Sequence, residues 1–384
     1  MKNGWQHKQI GDLCEVIAGQ SPEGKFYNTL GKGMPFYQGK KNFGEKFIED
    51  PQTWTDQTTK IAKKGDILMS VRAPVGPVNF ATEEICIGRG LAAIRSRVEL
   101  NRDFLFYQLQ HLQSVIAGRE GAVFASINKS EIQALPIAFA PLPEQKRIVG
   151  ILDEAFEGIA TAKANAEKNL QNARALFESH LHSVFTKRGD GWVDTSLGGA
   201  YDVRDGTHDS PKFHETGYPL ITSKNLKREG LSFDDVKLIS EQDYNKINER
   251  SVVHKGDVLF AMIGTIGNPT LVTVEPNFAI KNVALFKIPS GQNGAFLKHY
   301  LDSGLVISKM MNEAKGTTQK FVGLGYLRSF PINLPPLSIQ LEVVEELDEL
   351  SEETQRLESI YEQKLAALDE LKKSLLHQAF TGEL

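Results

Sequence analysis

The chain has 384 residues, 41% of them apolar and 24% charged, with 44 basic against 48 acidic side chains and a formal net charge of −4. That length exceeds what one core usually fills and points to two domains with connectors, while Cys14 and Cys86 are too few for a disulfide framework or a cysteine-rich zinc site. The opening Met1-Lys2-Asn3-Gly4-Trp5 has no apolar signal core and no uncharged apolar run reaches the ~20 residues that span a bilayer, so a cytoplasmic protein with no membrane partner is expected.

Residues 1–141 read as a mixed α/β unit. A β-rich run, Gly65-Asp66-Ile67-Leu68-Met69-Ser70-Val71, lies among Gly/Pro/Asn loops, and a brief helix is expected near 102–117. Residues 142–188 then form the first of two long helices. Pro141 and Pro143 stand at its start and Gly189-Asp190-Gly191 after its end. Its apolar positions Ile148, Leu152, Ala155, Ile159, Ala162, Ala166, Ala173 and Leu176 alternate in steps near three and four, the spacing of a coiled-coil seam.

Residues 189–336 repeat the first unit loosely. Trp5 matches Trp192, Lys64-Gly65-Asp66 matches Lys255-Gly256-Asp257, Ala92-Ala93-Ile94 matches Val283-Ala284-Leu285, and Pro136-Ile137 matches Pro331-Ile332, with a short helix expected near 295–312. Residues 337–384 repeat the long helix at a constant offset of 195. Leu142-Pro143-Glu144-Gln145 returns as Leu337-Ser338-Ile339-Gln340, the seam as Val343, Leu347, Leu350, Thr354, Leu357, Tyr361, Leu368 and Leu371, and Phe185 as Phe380. Asn169 and Lys364 fall at equivalent positions taken for the seam, where a polar residue sets register.

An alanine-rich stripe facing a leucine- and tyrosine-rich one predicts that the two helices pack together, antiparallel if the units obey pseudo-two-fold symmetry. Such helices are rods on the order of 60 Å at 1.5 Å per residue, a spacer longer than one turn of duplex DNA. The last segment carries 12 acidic against 4 basic side chains, so its face with Glu342, Glu345, Glu346, Asp348, Glu349, Glu352 and Glu353 turns either to solvent or to a basic protein surface.

No catalytic constellation is present: no Walker A loop, no HExxH, no strand–GxGxxG–helix unit and no Asn-Pro-Pro-aromatic motif. His208 and His214 lie near Asp205, Asp209 and Glu215, but without a third convergent ligand they read as loop polarity rather than a metal site. Phe36, Tyr37, Phe43 and Trp54 read as core aromatics before they read as base-stacking groups.

Polar, glycine-rich loops do recur at matching places. The first unit offers Gln20, Ser21, Gln38, Lys40, Lys41, Asn42, Arg72 and Arg89; the second offers Thr207, His208, Ser223, Lys224, Asn225, Thr265, Asn268, Lys281 and Asn282. Arg and Lys donate to guanine, Asn and Gln make two bonds to adenine, and glycine lets backbone approach phosphate. Ordinary turns need not keep such side chains twice. Among them Arg72, Arg89, Lys224 and Lys281 are the foremost expected DNA contacts.

With these pieces in hand, the chain resembles the specificity subunit of type I restriction-modification enzymes over its whole length. The resemblance is carried by Pro141-Leu142-Pro143-Glu144-Gln145-Lys146-Arg147-Ile148, by its partner from Pro336, and by the ending Lys373-Ser374-Leu375-Leu376-His377-Gln378-Ala379-Phe380-Thr381-Gly382-Glu383-Leu384; Ser338 and Ile339 depart from the Pro-Glu of the first copy. It implies an α+β fold in which two mixed α/β target recognition domains, 1–141 and 189–336, are related by pseudo-two-fold symmetry and joined by two long helices, 142–188 and 337–384, packed as an antiparallel coiled coil. It further implies a non-catalytic protein that reads one half of a split double-stranded DNA target with each domain. Two methyltransferase subunits and, through them, restriction/translocase subunits are the implied partners. No cofactor is expected in this chain; S-adenosylmethionine, ATP and Mg are expected on the partner subunits. Two rivals remain: an assembly protein whose domains bind protein or carbohydrate, and an enzyme with an unrecognised site.

Overall fold

The computed structural model describes residues 4–117, 126–187, 189–227, 229–316 and 320–384; the opening Met1-Lys2-Asn3 and residue 188, the expected end of the first long helix, lie outside them. The chain forms two compact units, Met1–Glu167 with Gln363–Leu384, and Lys168–Glu362. Each long helix is therefore shared: its start belongs to one unit and its end to the other.

In the first unit the order is β1 (Gln6–Gln9), α1 (Ile10–Leu13), β2 (Cys14–Ala18), β3 (Tyr27–Asn28), β4 (Met34–Tyr37), β5 (Trp54–Thr55), β6 (Ile61–Ala62), β7 (Ile67–Ser70), β8 (Val78–Phe80), β9 (Ile85–Ile87) and β10 (Leu91–Ser96). Then come α2 (Arg102–His111), α3 (Gln113–Ala117), α4 (Lys129–Gln133), β11 (Pro136–Phe139) and α5 (Leu142–Thr186). An antiparallel sheet β2-β10-β7-β8 stands beside a mixed sheet β3-β5-β4-β9-β6, in which β4 and β9 run parallel with Phe36 opposite Cys86. β1 pairs with β11 and so brings the two ends of the domain together.

The second unit repeats this frame with β12 (Val193–Ser196), α6 (Leu197–Ala200), β13 (Asp202–Asp205), β14 (Tyr218–Ile221), β15 (Leu226–Lys227), β16 (Gly230–Leu231), β17 (Lys237–Ile239), α7 (Glu241–Ser251), β18 (Val258–Ala261), β19 (Gly267–Leu271), β20 (Ala279–Ile280) and β21 (Val283–Lys287). It ends in α8 (Gly294–Asp302), α9 (Gly304–Glu313), α10 (Leu324–Ser329), β22 (Pro331–Leu334) and α11 (Leu337–Thr381). The sheet β13-β21-β18-β19 copies β2-β10-β7-β8, and β14 pairs parallel with β20 as β4 does with β9. β17 pairs antiparallel with β14 as β5 does with β4, and the β15–β16 pairing Leu226↔Leu231 repeats the bridge Phe43↔Ile48. The helix α7 has no counterpart among the described residues of the first unit.

Repeated residues do repeated work. Asp66 is buried in the turn before β7; it accepts Lys63 N at 2.8 Å and holds the Arg95 guanidinium of β10 at 2.8 and 2.9 Å. Asp257 does the same before β18, accepting His254 N at 2.7 Å and pairing with the Lys287 ammonium of β21. A buried carboxylate is tolerable only when its oxygens are satisfied in this way. Gln145 and Gln340, both fully buried, fasten each long helix to the domain before it. Gln145 Oε1 accepts Asn101 N at 2.7 Å while its Nε2 donates to Ala140 O at 2.7 Å and Glu99 O at 3.1 Å. Gln340 Oε1 accepts Asn293 N at 2.9 Å, and its Nε2 donates to Pro335 O at 2.9 Å and Gln292 Oε1 at 2.7 Å. Asn101 and Asn293 in turn cap α2 and α8 with their side chains.

The expected short helices each form in two pieces, broken at Leu112 and at Ser303. The helix ends also dock symmetrically. Phe380 packs on Phe104, with ring centroids 5.2 Å apart, in the first unit, and Phe185 packs on Phe296 at 5.5 Å in the second. Helix segments run antiparallel within each unit: Lys163 Nζ meets Asp369 at 2.6 Å in one, and Arg174 meets Glu358 at 3.2 Å and Glu362 at 3.3 Å in the other.

The buried stripes are Ile148, Leu152, Ile159, Ala166, Ala173, Phe177 and Leu181 on α5, with Leu347, Thr354, Leu376 and Ala379 on α11. Three residues assigned to the seam from spacing, Leu176, Leu357 and Leu371, are exposed by 57%, 37% and 47%, and Asn169 and Lys364 are exposed as well, so they set no register. On α5 the heptad Leu152, Ile159, Ala166 and Ala173 is continued by Phe177 and Leu181, which pack with Leu347 of α11, and Leu176 lies off that stripe. Asp348, placed on the acidic face, instead bonds the buried His299 of α8 at 2.7 Å.

Candidate nucleic-acid interface

The polar loops of the first unit meet at one end of its sheets. The carboxyl ends of β2, β4, β7 and β9 and the amino end of β10 converge there, because β10 runs against β2 and β7 while β4 and β9 run together. Backbone bonds then lace the loops: Gly19 N to Leu91 O at 2.9 Å, Gln20 N to Ile87 O at 2.9 Å, Gly88 N to Tyr37 O at 2.8 Å and Val71 N to Gly90 O at 2.9 Å. A Cβ on Gly19 would collide with the carbonyls of Gly88 and Leu91, which is why glycine stands where the first loop crosses.

This lacing brings Gln20, Ser21, Gln38, Arg72 and Arg89 into one cluster. Gln20, Gln38, Arg72 and Arg89 are exposed; Ser21 is half-buried, and its Oγ accepts Arg89 N at 3.3 Å. Lys40, Lys41 and Asn42 follow Gln38 in a single 3-10 turn, with both lysines exposed.

The second unit builds the same junction. Gly206 N donates to Val283 O at 3.0 Å, Thr207 N to Ile280 O at 3.0 Å and Lys281 N to Ile221 O at 2.8 Å. These bonds make Gly206 equivalent to Gly19, Thr207 to Gln20, His208 to Ser21 and Lys281 to Gly88; the connection that follows is one residue shorter in the second unit, so Asn282 stands where the first unit has Arg89 and Gly90. Thr207 and Lys281 are half-buried, and Lys281 Nζ donates to Ser210 Oγ at 2.6 Å. His208 Nδ1 lies 2.8 Å from Asn282 Oδ1 and its Nε2 lies 2.9 Å from Asp205 Oδ2. Asp205, buried, also takes the Arg250 guanidinium from α7. The His208 imidazolium is held above its ordinary pKa of 6.5, first by the bond to Asn282 and then by that to Asp205, while burial opposes. A cavity of about 280 Å³ lies against this loop, lined in part by Thr207, Ser210, Lys246 and Arg250.

The remaining candidates divide. Lys224 is exposed in the 3-10 turn Ser223–Asn225 and Ser223 is half-buried, whereas Asn225 is buried, its Oδ1 accepting Thr222 N at 3.0 Å and its Nδ2 donating to Ser232 O at 3.1 Å. That amide is spent on the turn. Asn268, exposed and in a left-handed conformation at φ 49°, uses Nδ2 on Leu226 O at 3.2 Å. Thr265 is exposed in the loop whose Gly264 N bonds Lys320 O at 2.9 Å, with no bond to the strand-end junction among the described residues. Arg72 has Ile263 as its structural equivalent, since the strand ends Leu91↔Ser70 and Val283↔Ala261 correspond.

Arg250 is the site residue that sequence reasoning missed, and its pairing with Asp205 was not foreseen. Arg250 lies 45 residues beyond Asp205 on a helix peculiar to the second unit, and no spacing signal links the two. Among the described residues no group of three or more metal-ligating side chains converges. No helix among them is long and apolar enough to cross a membrane.

Comparison with known proteins follows the same two-fold division. The family model described as the type I restriction modification DNA specificity domain matches residues 2–171 and again 190–366. The putative type I restriction enzyme MjaX specificity subunit of Methanocaldococcus jannaschii is 38% identical over 174 residues, 44% of this chain, and that match spans only 40% of the relative's length. The MjaIX specificity subunit of the same organism is 22% identical over 381 residues, covering 87% of this chain and 84% of the relative, and the EcoKI specificity subunit of Escherichia coli is 23% identical over 69% and 61%.

Among solved structures, a chain from a study of the assembly and conformational transition of a type I R-M system superposes with a TM-score of 0.82 at 18% identity, covering 100% of this chain and 99% of that one. The HsdS subunit from Thermoanaerobacter tengcongensis gives 0.64 at 18% identity over 100% and 98%. At such identities the likeness is one of fold. The two family-model matches together take in most of the chain, one in each half, and the protein belongs to the type I restriction-modification DNA specificity family.

Proposed function

We propose that this protein reads a bipartite double-stranded DNA target, one half with each unit, and contributes recognition but no catalysis to a type I restriction-modification complex. The observation that carries this reading is the strand-end junction, built twice with the same backbone bonds and different side chains: Gln20, Ser21 and Arg89 in one unit, Thr207, His208 and Asn282 in the other. A frame that repeats while its polar tips differ suits two readers of unlike sequence. Exposed Lys40, Lys41, Arg72 and Lys224 supply phosphate and base donors.

In this reading the two 45-residue helices, unbroken along their length, set the gap between half-sites and offer docking faces to two methyltransferase subunits. Restriction/translocase subunits join through those partners. S-adenosylmethionine belongs to the methyltransferase, which flips the target adenine from the duplex, and ATP and Mg belong to the restriction subunit.

Sequencing of modified bases in a host that expresses this chain with its methyltransferase tests the proposal. A motif of two specified halves separated by a fixed unspecified gap is expected; a contiguous motif, or no modification, overturns it.

A further inference from the structure

The junction contains one position at which the first loop reaches across to the last strand connection in both units. In the first unit Ser21 Oγ accepts the backbone N–H of Arg89 at 3.3 Å. In the second His208 stands in the place of Ser21 and Asn282 in the place of Arg89 and Gly90, and the bond runs between side chains, Nδ1 to Oδ1 at 2.8 Å. We infer that Arg89 and Asn282 are the specificity-determining positions of their units, Arg89 directed to guanine and Asn282 to adenine, and that His208 is the positioning residue that sets the Asn282 amide. This rests on the target-reading proposal and narrows it to one side chain in each half.

The chemistry follows from what each group has left to offer. The Arg89 side chain is exposed and carries no partner among the described residues, so its fork is free for the O6 and N7 acceptors of guanine. Asn282 sits at φ 55°, a backbone state that Asn adopts more readily than most residues. Its Oδ1 accepts from His208, which leaves a second lone pair there and both Nδ2 protons, the complement of adenine N6 and N7.

Fixing that amide requires a proton on His208 Nδ1, while Nε2 faces the Asp205 carboxylate at 2.9 Å and needs a proton too. Both ring nitrogens therefore donate when the ring is an imidazolium. Asp205 favours that charge and Arg250 from α7 opposes it; Arg204 of β13 is turned to Asp202, and Lys281 to Ser210. The raised pKa of His208 agrees with this arrangement.

The full chain, co-produced with its methyltransferase, is assayed on duplexes in which each base pair of the mapped motif is varied in turn. Asn282→Gly keeps the left-handed backbone and removes the amide. It is expected to lose roughly 5- to 150-fold discrimination at one A·T pair of one half-site and to leave the other half untouched. Asn282→Asp, equally at home at positive φ, should shift the preference at that pair towards cytosine, whose amino group a carboxylate accepts. Arg89→Ala should act on one G·C pair in the opposite half. In the wild type, discrimination at the Asn282 pair should be strongest at acid pH and weaken as pH rises through the raised His208 pKa; His208→Gln should remove that dependence.

A wild-type motif that is not split in two sinks the parent reading. A split motif that Asn282→Gly leaves unchanged, or weakens equally at every pair and in both halves, sinks this inference alone. A pH profile retained in His208→Gln removes the role of His208.

Discussion

In a space from which water is excluded, Gln145 holds three backbone groups and Gln340 holds two together with the Gln292 side chain, and their cost of replacement follows from those groups. Gln145→Glu turns an acceptor towards the carbonyls of Glu99 and Ala140, where a donor stood. A loss of about 3 kcal/mol or more is expected in chemical denaturation, greater than for Gln145→Met, which removes the bonds without burying a charge. Two histidines give a pH dependence of defined sign. His299 is held below its ordinary pKa of 6.5 chiefly by burial, with the bond to Asp348 pulling the other way, and His111 is lowered by burial and then by His377. Each favours the neutral ring in the folded chain, so their contribution is present above pH 6.5 and is lost as pH falls from that value through the lowered ones. The melting temperature should drop from pH 7 to 5, and His299→Gln, which keeps a donor for Asp348 but cannot titrate, should make that drop shallower. At this scale the sequence announced Gln145, Gln340, Asp66 and Asp257 as repeats; what each of them bonds was not legible, because Asn101, Arg95 and Lys287 lie 29 to 44 residues away.

The long helices were legible because their periodicity is local. Proline before and in the first turn, apolar residues at heptad spacing and glycine after the last turn are all written within one stretch of chain. The seam was read one step off in places, since a leucine in an approximately correct phase looks the same on either side of the line. Leu347→Ala, at a fully buried position, should therefore cost about 2–5 kcal/mol, whereas Leu176→Ser, on an exposed face, should stay within about 0.5 kcal/mol; thermal denaturation of the two variants side by side checks both. The short strands are the opposite case. Several contain two or three residues, and β4–β9 and β14–β20 are parallel pairings across about 50 and about 60 residues, which no local alternation can signal. The helix α7 was missed because its buried content is slight and its role is to bring Arg250 to Asp205.

For the molecule as a whole, duplication is the fact from which the functional proposal grows. If the helices set the gap, deleting one heptad from each should change the preferred spacing of the two half-sites while sparing their sequences, as read by modified-base sequencing; an unchanged spacing would remove the helices from that role. Binding should also be steeply salt-dependent, and Lys40→Ala with Lys41→Ala should each lower the slope of log K against log salt by up to about one without changing the motif. The repeat, the long helices, the lack of catalytic motifs and the family are legible in the chain, because each is carried by residues close together or by a constant offset. Folding alone reveals which polar loops share one end of a sheet, that Arg89 and Asn282 fall in corresponding connections of their units, and that Asn225 is spent on its own turn. Those outcomes depend on strand pairings between distant segments, whose free energy comes from burying many short pieces together and leaves no mark on any one of them.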